Sequence, residues 1–118
     1  MPDGESIQNL VTELKRGSLT LAALGCLREP RYGYELLQIM QKKGMDVEAN
    51  TLYPLLRRLG GQGILDSRWD VSGSRPKKYY TVSVKGREVY AGLLAEWERM
   101  RVCIADICGE DLLNDGFN

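Results

Sequence analysis

The side chains best suited to chemistry in this sequence are cations and aromatics, and they fall in two short runs. Thr51, Tyr53, Arg57 and Arg58 lie on or near the polar side of a stretch whose Leu52, Leu55, Leu56 and Leu59 recur at helical spacing. After a glycine-rich stop comes Arg75-Pro76-Lys77-Lys78-Tyr79-Tyr80. Polar and cationic groups at the start of such a helix can reach base edges in a duplex, and arginines along it can pair with phosphates. Cations on a short turn neutralise phosphates and release their counterions. Taken singly, each run has a plainer meaning: a solvated helix face, or lysines guarding an edge strand. Two basic elements flanking one folding unit favour a polyanion partner.

Other chemistries lack their groups. The chain contains no histidine, which removes the commonest general base and the imidazole of most zinc sites. Three cysteines are too few for a four-thiolate metal site and odd in number for a disulfide framework. Cys103 and Cys108 are five residues apart, about 140° around a helix, so no local disulfide joins them. Inert buried thiols are expected, with cross-chain pairing as the alternative. Gly60-Gly61-Gln62-Gly63 lacks the lysine of a phosphate loop and reads as a helix stop. No enzyme, metal or cofactor is indicated. The cysteine usage and the lack of a leader-like start point to the cytoplasm. The longest apolar run, Leu19 to Leu27, is interrupted by Thr20 and well short of the ~20 residues of a membrane span.

The elements that must position the two runs can be read from periodicity. At 118 residues the chain sits in the single-domain range of roughly 100–200. Met1 to Glu5 are expected to fray. Ile7, Leu10, Val11 and Leu14 predict a short helix ending near Gly17, after which Ser18 would cap a second helix lined by Leu19, Ala22, Ala23, Cys26 and Leu27 up to Pro30. A third helix spans about Gly33 to Lys43, with Leu36, Leu37 and Met40 inward and Gly44 as its stop. The fourth, capped by Asn50 or Thr51, has Pro54 in its first turn. The period then changes to two. Leu65, Ser67, Trp69 and Val71, followed by Tyr80, Val82 and Val84, describe a hairpin with a basic tip. Ser83 caps a last helix from Val84 to about Cys108.

This order is mainly α with a small β-hairpin: a winged helix-turn-helix plus N-terminal and long C-terminal helices. The expected organisation is an N-terminal helix at 1–17, the winged domain at 18–83, a dimerisation helix at 84–108 and a loose acidic tail at 109–118.

Tyr53-Pro54-Leu55-Leu56-Arg57-Arg58-Leu59, then Gly63-Ile64-Leu65 and the basic run from Arg75 to Tyr80, resemble the PadR family of transcriptional regulators. So does Gly33-Tyr34-Glu35-Leu36 at the head of the third helix. The likeness extends from about Gly17 to the end of the last helix. It implies a winged-helix domain with a C-terminal dimerisation helix, acting as a DNA-binding repressor that lets go when an effector binds. Residue by residue, it implies that Tyr34, Asn50, Thr51, Tyr53 and Arg57 meet DNA and that Lys77 and Lys78 form the wing; Arg58 and Arg75 join them through charge. Two positions depart from the family pattern. Gly60 replaces an acid, suggesting an early end to the fourth helix, and Ser83 replaces a threonine but can still cap.

In the last helix, Leu93, Trp97, Met100, Ile104 and Ile107 follow heptad-like spacing, and Val89 extends the seam one turn back. So small a domain cannot enclose so long a helix, which favours a two-fold homodimer reading half-sites ~34 Å apart on double-stranded DNA. The first helix, through Ile7 to Leu14, is the natural cover for what stays exposed. In short PadR-like regulators, the resemblance implies, a tryptophan at the place of Trp97 lines an interface pore for flat aromatic compounds. Leu93, Glu96, Trp97 and Met100 would form that site, with Glu96 attracting a cation; packing of the seam is the equal alternative. A winged-helix protein-interaction module without DNA binding is the competing function.

The formal net charge is zero, from 16 Lys+Arg against 16 Asp+Glu. Between Arg28 and Arg87, however, 12 cations face 6 anions, a net +6, and the remainder of the chain is −6. Neutrality here is a cancellation between a basic head and an acidic remainder.

Overall fold

The computed structural model describes residues 4–109. The chain runs α1 (Gly4–Cys26), β1 (Arg31–Tyr32), α2 (Gly33–Lys42), α3 (Ala49–Gly61), β2 (Leu65–Asp70), β3 (Lys77–Val82) and α4 (Val84–Ile107). The three strands form one antiparallel sheet in the order β1-β3-β2, so β3 is central and β2 an edge. Leu24 and Leu27 of α1, Leu36, Leu37 and Met40 of α2, and Leu52, Leu55, Leu56 and Leu59 of α3 close over Leu65, Tyr80 and Val82 of the sheet. Val47, in the link between α2 and α3, completes this core. The leucine stripes of α2 and α3 are thus where helical spacing puts them.

The N-terminal region differs from expectation. The first two predicted helices are one continuous 23-residue helix passing through Gly17 and Ser18, and Ser18 caps nothing. A mid-helix glycine costs about 1 kcal/mol, too little to break a helix whose C-terminal end is held in the core by Ala23, Leu24 and Leu27. The boundary expected at 17/18 therefore falls inside α1, and Gly4 and Glu5 belong to the helix rather than to a frayed end. Apart from Gly109, the expected acidic tail lies outside the described residues.

The recognition-type helix α3 also begins earlier than expected. Glu48 is its N-cap, without a side-chain capping bond, so neither Asn50 nor Thr51 caps it. Pro54 consequently stands inside the helix, where it removes the N–H that the Asn50 carbonyl would receive. Nor does the helix end early at Gly60: it continues through Gly61. Its stop is Gly63, at φ 75°, where the Gly63 N–H bonds to the Gly60 carbonyl (3.1 Å) and the Ile64 N–H to the Leu59 carbonyl (3.0 Å).

One joint binds α3, β2 and α4 together. The Ser83 N–H donates to the Ile64 carbonyl (3.0 Å), and Ser83 Oγ donates to the Gly63 carbonyl (2.6 Å) while accepting from the Gly86 N–H (2.9 Å). Lys85 Nζ reaches the Gln62 carbonyl at the end of α3 (3.0 Å). Gly86 is buried against this turn: a Cβ there would lie 2.0 Å from the Ile64 carbonyl oxygen and 2.8 Å from Val82 Cγ1. Because the obstacle is backbone, Gly86→Ala is expected to lose about 3 kcal/mol or more in urea unfolding, and Ser83→Ala about 1 kcal/mol. Equal stability for wild type and Gly86→Ala would show that the joint yields freely.

Candidate nucleic-acid interface

Burying its four leucines leaves α3 with a defined outer side. Asn50, Pro54 and Arg57 stand at i, i+4 and i+7, in a strip opposite the leucines, and all three are exposed. Thr51 and Arg58, also exposed and one heptad apart, lie beside that strip. Tyr53 is different: it is half-buried and packs on the core. Its ring lies across the start of α2, where a Cβ on Gly33 would come within 2.9 Å of Tyr53 Cε1. Tyr53 thus fixes the angle between α2 and α3, whereas Tyr34, in the first turn of α2, is 55% exposed.

The wing is organised differently from a basic tip. Lys77 and Lys78 are strand residues of β3; the connecting loop is residues 71–76, and of the expected basic residues it holds Arg75. In register, Trp69 faces Lys78 and Asp70 faces Lys77, so alternation sends the two lysines to opposite sides of the hairpin. On the side that carries the core, the Lys78 ammonium lies over the rings of Trp69 (5.9 Å) and Tyr80 (5.4 Å). On the outer side, Lys77 lies over Tyr32 (4.5 Å), Tyr32 meets Tyr79 edge-on (5.7 Å), and Arg68 lies over Tyr79 (6.0 Å). Trp69 and Val71, alternating in phase with Leu65, are 62% and 71% exposed because the sheet extends beyond the helices that cover Leu65.

Sequence reading missed Tyr32, and with it the outer cluster in which Tyr79 and Arg68 take part. β1 is two residues long, too short for any alternation to announce it, and it is β1 that brings Tyr32 onto the sheet.

Along α4, Leu93, Trp97, Met100, Ile104 and Ile107 are 38–76% exposed, as are Ile7, Leu10 and Leu14 of α1 at 52–77%. Within the described residues the apolar side chains of both helices are thus left partly uncovered. Val89 departs from the expected seam: it is half-buried against the protomer's own core, beside Tyr90, whose hydroxyl lies 3.4 Å from where a Gly25 Cβ would stand. Glu96 is gripped by Arg99 through Nε (3.1 and 3.0 Å) and a terminal nitrogen (2.6 Å), which holds its carboxyl below the usual range and offsets the charge proposed to draw a cation. Two surface recesses, about 460 Å³ between α1 and the link before α3 and about 490 Å³ around Pro30, Arg68 and Tyr79, are lined by none of Leu93, Glu96, Trp97 or Met100. Cys103 is exposed rather than buried, and Cys26 and Cys108 are half-buried; all three are free thiols.

Among the described residues no group of three or more acidic or cysteine side chains is placed to hold a metal ion, and no helix is long and apolar enough to cross a membrane. A helix-turn-helix whose second helix bares a polar, cationic strip beside a three-stranded sheet with a basic hairpin defines a DNA-binding winged helix. The profile described as "Transcriptional regulator PadR-like family" matches residues 21–92. The chain belongs to the PadR-like family of transcriptional regulators. It is similar to a PadR family regulator from Eggerthella lenta, with 42% identity over 87% of this chain and 92% of that one and a TM-score of 0.82. A PadR-like regulator from Bacillus cereus has 24% identity and a TM-score of 0.75, covering 87% of this chain and 99% of its own, a likeness of fold alone. Bacillus subtilis PadR in complex with operator DNA has 26% identity and a TM-score of 0.60, over 65% of this chain and 45% of that one. No curated protein matches the sequence.

The wing loop is anchored by Asp70, whose Oδ1 accepts from the Ser72 N–H (2.9 Å) and hydroxyl (2.6 Å). These bonds hold the Asp70 carboxyl below its ordinary value of 3.8. A depressed carboxyl contributes its stabilisation above the ordinary value and loses it as pH falls through the folded one. The loop contact is therefore expected to persist at neutral pH and open only in acid. Carbon-detected NMR titration should place the Asp70 midpoint low, and Ser72→Ala should return it towards 3.8; an ordinary midpoint in the wild type would contradict this.

Proposed function

We propose that this chain represses transcription as a homodimer that binds an inverted-repeat operator in double-stranded DNA. The observation that carries this reading is the outer strip of α3, where Asn50, Pro54 and Arg57 stand uncovered opposite a stripe of four buried leucines, with Thr51 and Arg58 beside it. In the major groove, Asn50 and Thr51 are suited to base edges and Arg57 and Arg58 to bases or phosphates. Tyr34 approaches the backbone from the head of α2, and Arg75, Lys77 and Lys78 supply the wing. Tyr53 supports the strip by setting its angle. The complex described for Bacillus subtilis PadR supports the choice of duplex DNA as partner.

The apolar sides of α1 and α4 supply the dimer contact. A second copy would cover Leu93, Trp97, Met100, Ile104 and Ile107, which water otherwise surrounds. With paired Trp97 indoles in that contact, a flat aromatic molecule could enter between them and change the separation of the two α3 helices. It does so only if it binds the DNA-competent and incompetent arrangements unequally.

The test is duplex binding as a function of salt. The wild type should bind with a steep salt slope; Arg57→Ala should weaken binding and lower the slope by about one counterion, and Lys78→Ala should weaken it more than Lys77→Ala, which faces the other side of the hairpin. Negligible affinity for any duplex at low salt would favour the protein-interaction module instead. Sedimentation should give a dimer for the wild type and a monomer for Ile104→Glu, since a charge in a desolvated apolar contact costs several kcal/mol. A monomeric wild type at tens of micromolar would remove the dimer.

A further inference from the structure

Trp69 is unaccounted for by the core, by the α4 seam and by the residues assigned to DNA. It stands on β2, the edge strand, 62% exposed. Strand alternation puts it on the same side of the sheet as Leu65, Tyr80 and Val82, the side on which α3 packs. The helices cover Leu65, and Ser67 between the two is already exposed, so Trp69 is past the end of the core. Its register partner across the hairpin is Lys78, whose ammonium lies over the Trp69 and Tyr80 rings. An indole with one face near a cation, on a hairpin that also carries Arg68, Arg75 and Lys77, suits a ligand that is anionic along one line and apolar beside it. The sugar–phosphate edge of a duplex has that pattern.

We propose that Trp69 is a DNA-contacting residue of the wing, its indole lying on deoxyribose beside the phosphate that Lys78 neutralises. This rests on the DNA-binding reading above and adds to it a contact that is apolar and independent of sequence. Such a contact differs from a positioning role. If Trp69 only held Lys78 in place, removing it would also remove a phosphate contact and flatten the salt dependence. If the indole itself touches sugar, affinity falls while the number of released counterions stays the same.

The experiment uses full-length protein labelled with 5-fluorotryptophan and a mixed-sequence duplex of about 40 base pairs at low salt, where backbone contacts dominate. The two fluorine resonances are assigned with Trp69→Phe. Adding duplex should shift the Trp69 resonance and reduce its exposure to solvent. Trp69→Ala should weaken binding about tenfold with an unchanged salt slope, and Trp69→Phe should recover most of the affinity. Circular dichroism and melting should match the wild type, since the residue lies outside the core. Wild type that binds duplex with an unmoved Trp69 resonance, or a Trp69→Ala variant within twofold of wild type, overturns the contact. Weakened binding with a reduced salt slope overturns it too, in favour of a positioning role. Wild type that binds no duplex, or a Trp69 resonance that responds only to an acidic peptide, overturns both this proposal and the functional reading beneath it.

Discussion

Among the described glycines, Gly86 has the least room for a side chain, against the Ile64 carbonyl, and the geometry of the reading head follows from that. Without a side chain at 86, the first turn of α4 sits directly on the turn that ends α3 and begins β2. Ser83 and Lys85 then fill the Gly63 and Gln62 carbonyls of the turn that follows α3, which would otherwise face water. The end of α3, the root of the wing and the root of the long arm thereby become one rigid body. A recognition helix held at one end by the arm turns with it; in the proposed dimer, a change in how two arms pack would reach both α3 strips without passing through a flexible link.

The same constraint explains why α4 is apolar where it is free. Its first turns bury Gly86, Val89 and Tyr90 against the protomer, and the sheet and α1 are then used up. The side that faced the core continues outward as Leu93, Trp97, Met100 and Ile104, which the described residues leave 38–50% exposed. The N-terminal half of α1 repeats this pattern through Ile7, Leu10 and Leu14. Two such surfaces on one small protomer exceed what scattered apolar exposure explains and are the usual mark of an interface.

Helical periodicity alone revealed α2, α3, α4 and most of the core, because four leucines in one phase leave a helix few ways to lie. Ser83 was legible for the same reason: a serine between a strand pattern and a helix pattern has one obvious use. The errors share a cause, which is that local signals carry no information about reach. Gly17 and Ser18 look like a stop and a start, yet the helix anchored by Leu24 passes through them. Trp69 and Val71 continue the alternation of Leu65, but the pattern cannot say where the covering helices end. Val89 fits the heptad and yet packs inward, because the joint at Gly86 brings that turn of α4 against its own domain. β1 is defined only by its pairing with β3, so no local window contains it.

The basic run of the wing shows how far a pattern of charge can mislead without a register. Three cations close in sequence suggest one positive tip. Pairing with β2 instead sends Lys78 towards the side of α3 and Lys77 away from it, each against its own aromatic ring. A similar separation operates on the arm, where Arg99 and Arg101 are paired with Glu96 and Glu98 on their own helix. Those cations add little field at a distance, while the head keeps an excess of six positive charges between Arg28 and Arg87. Orientation towards a polyanion therefore comes from where charge is left uncompensated, and in this fold that place is the head, because α4 carries four cations against four anions.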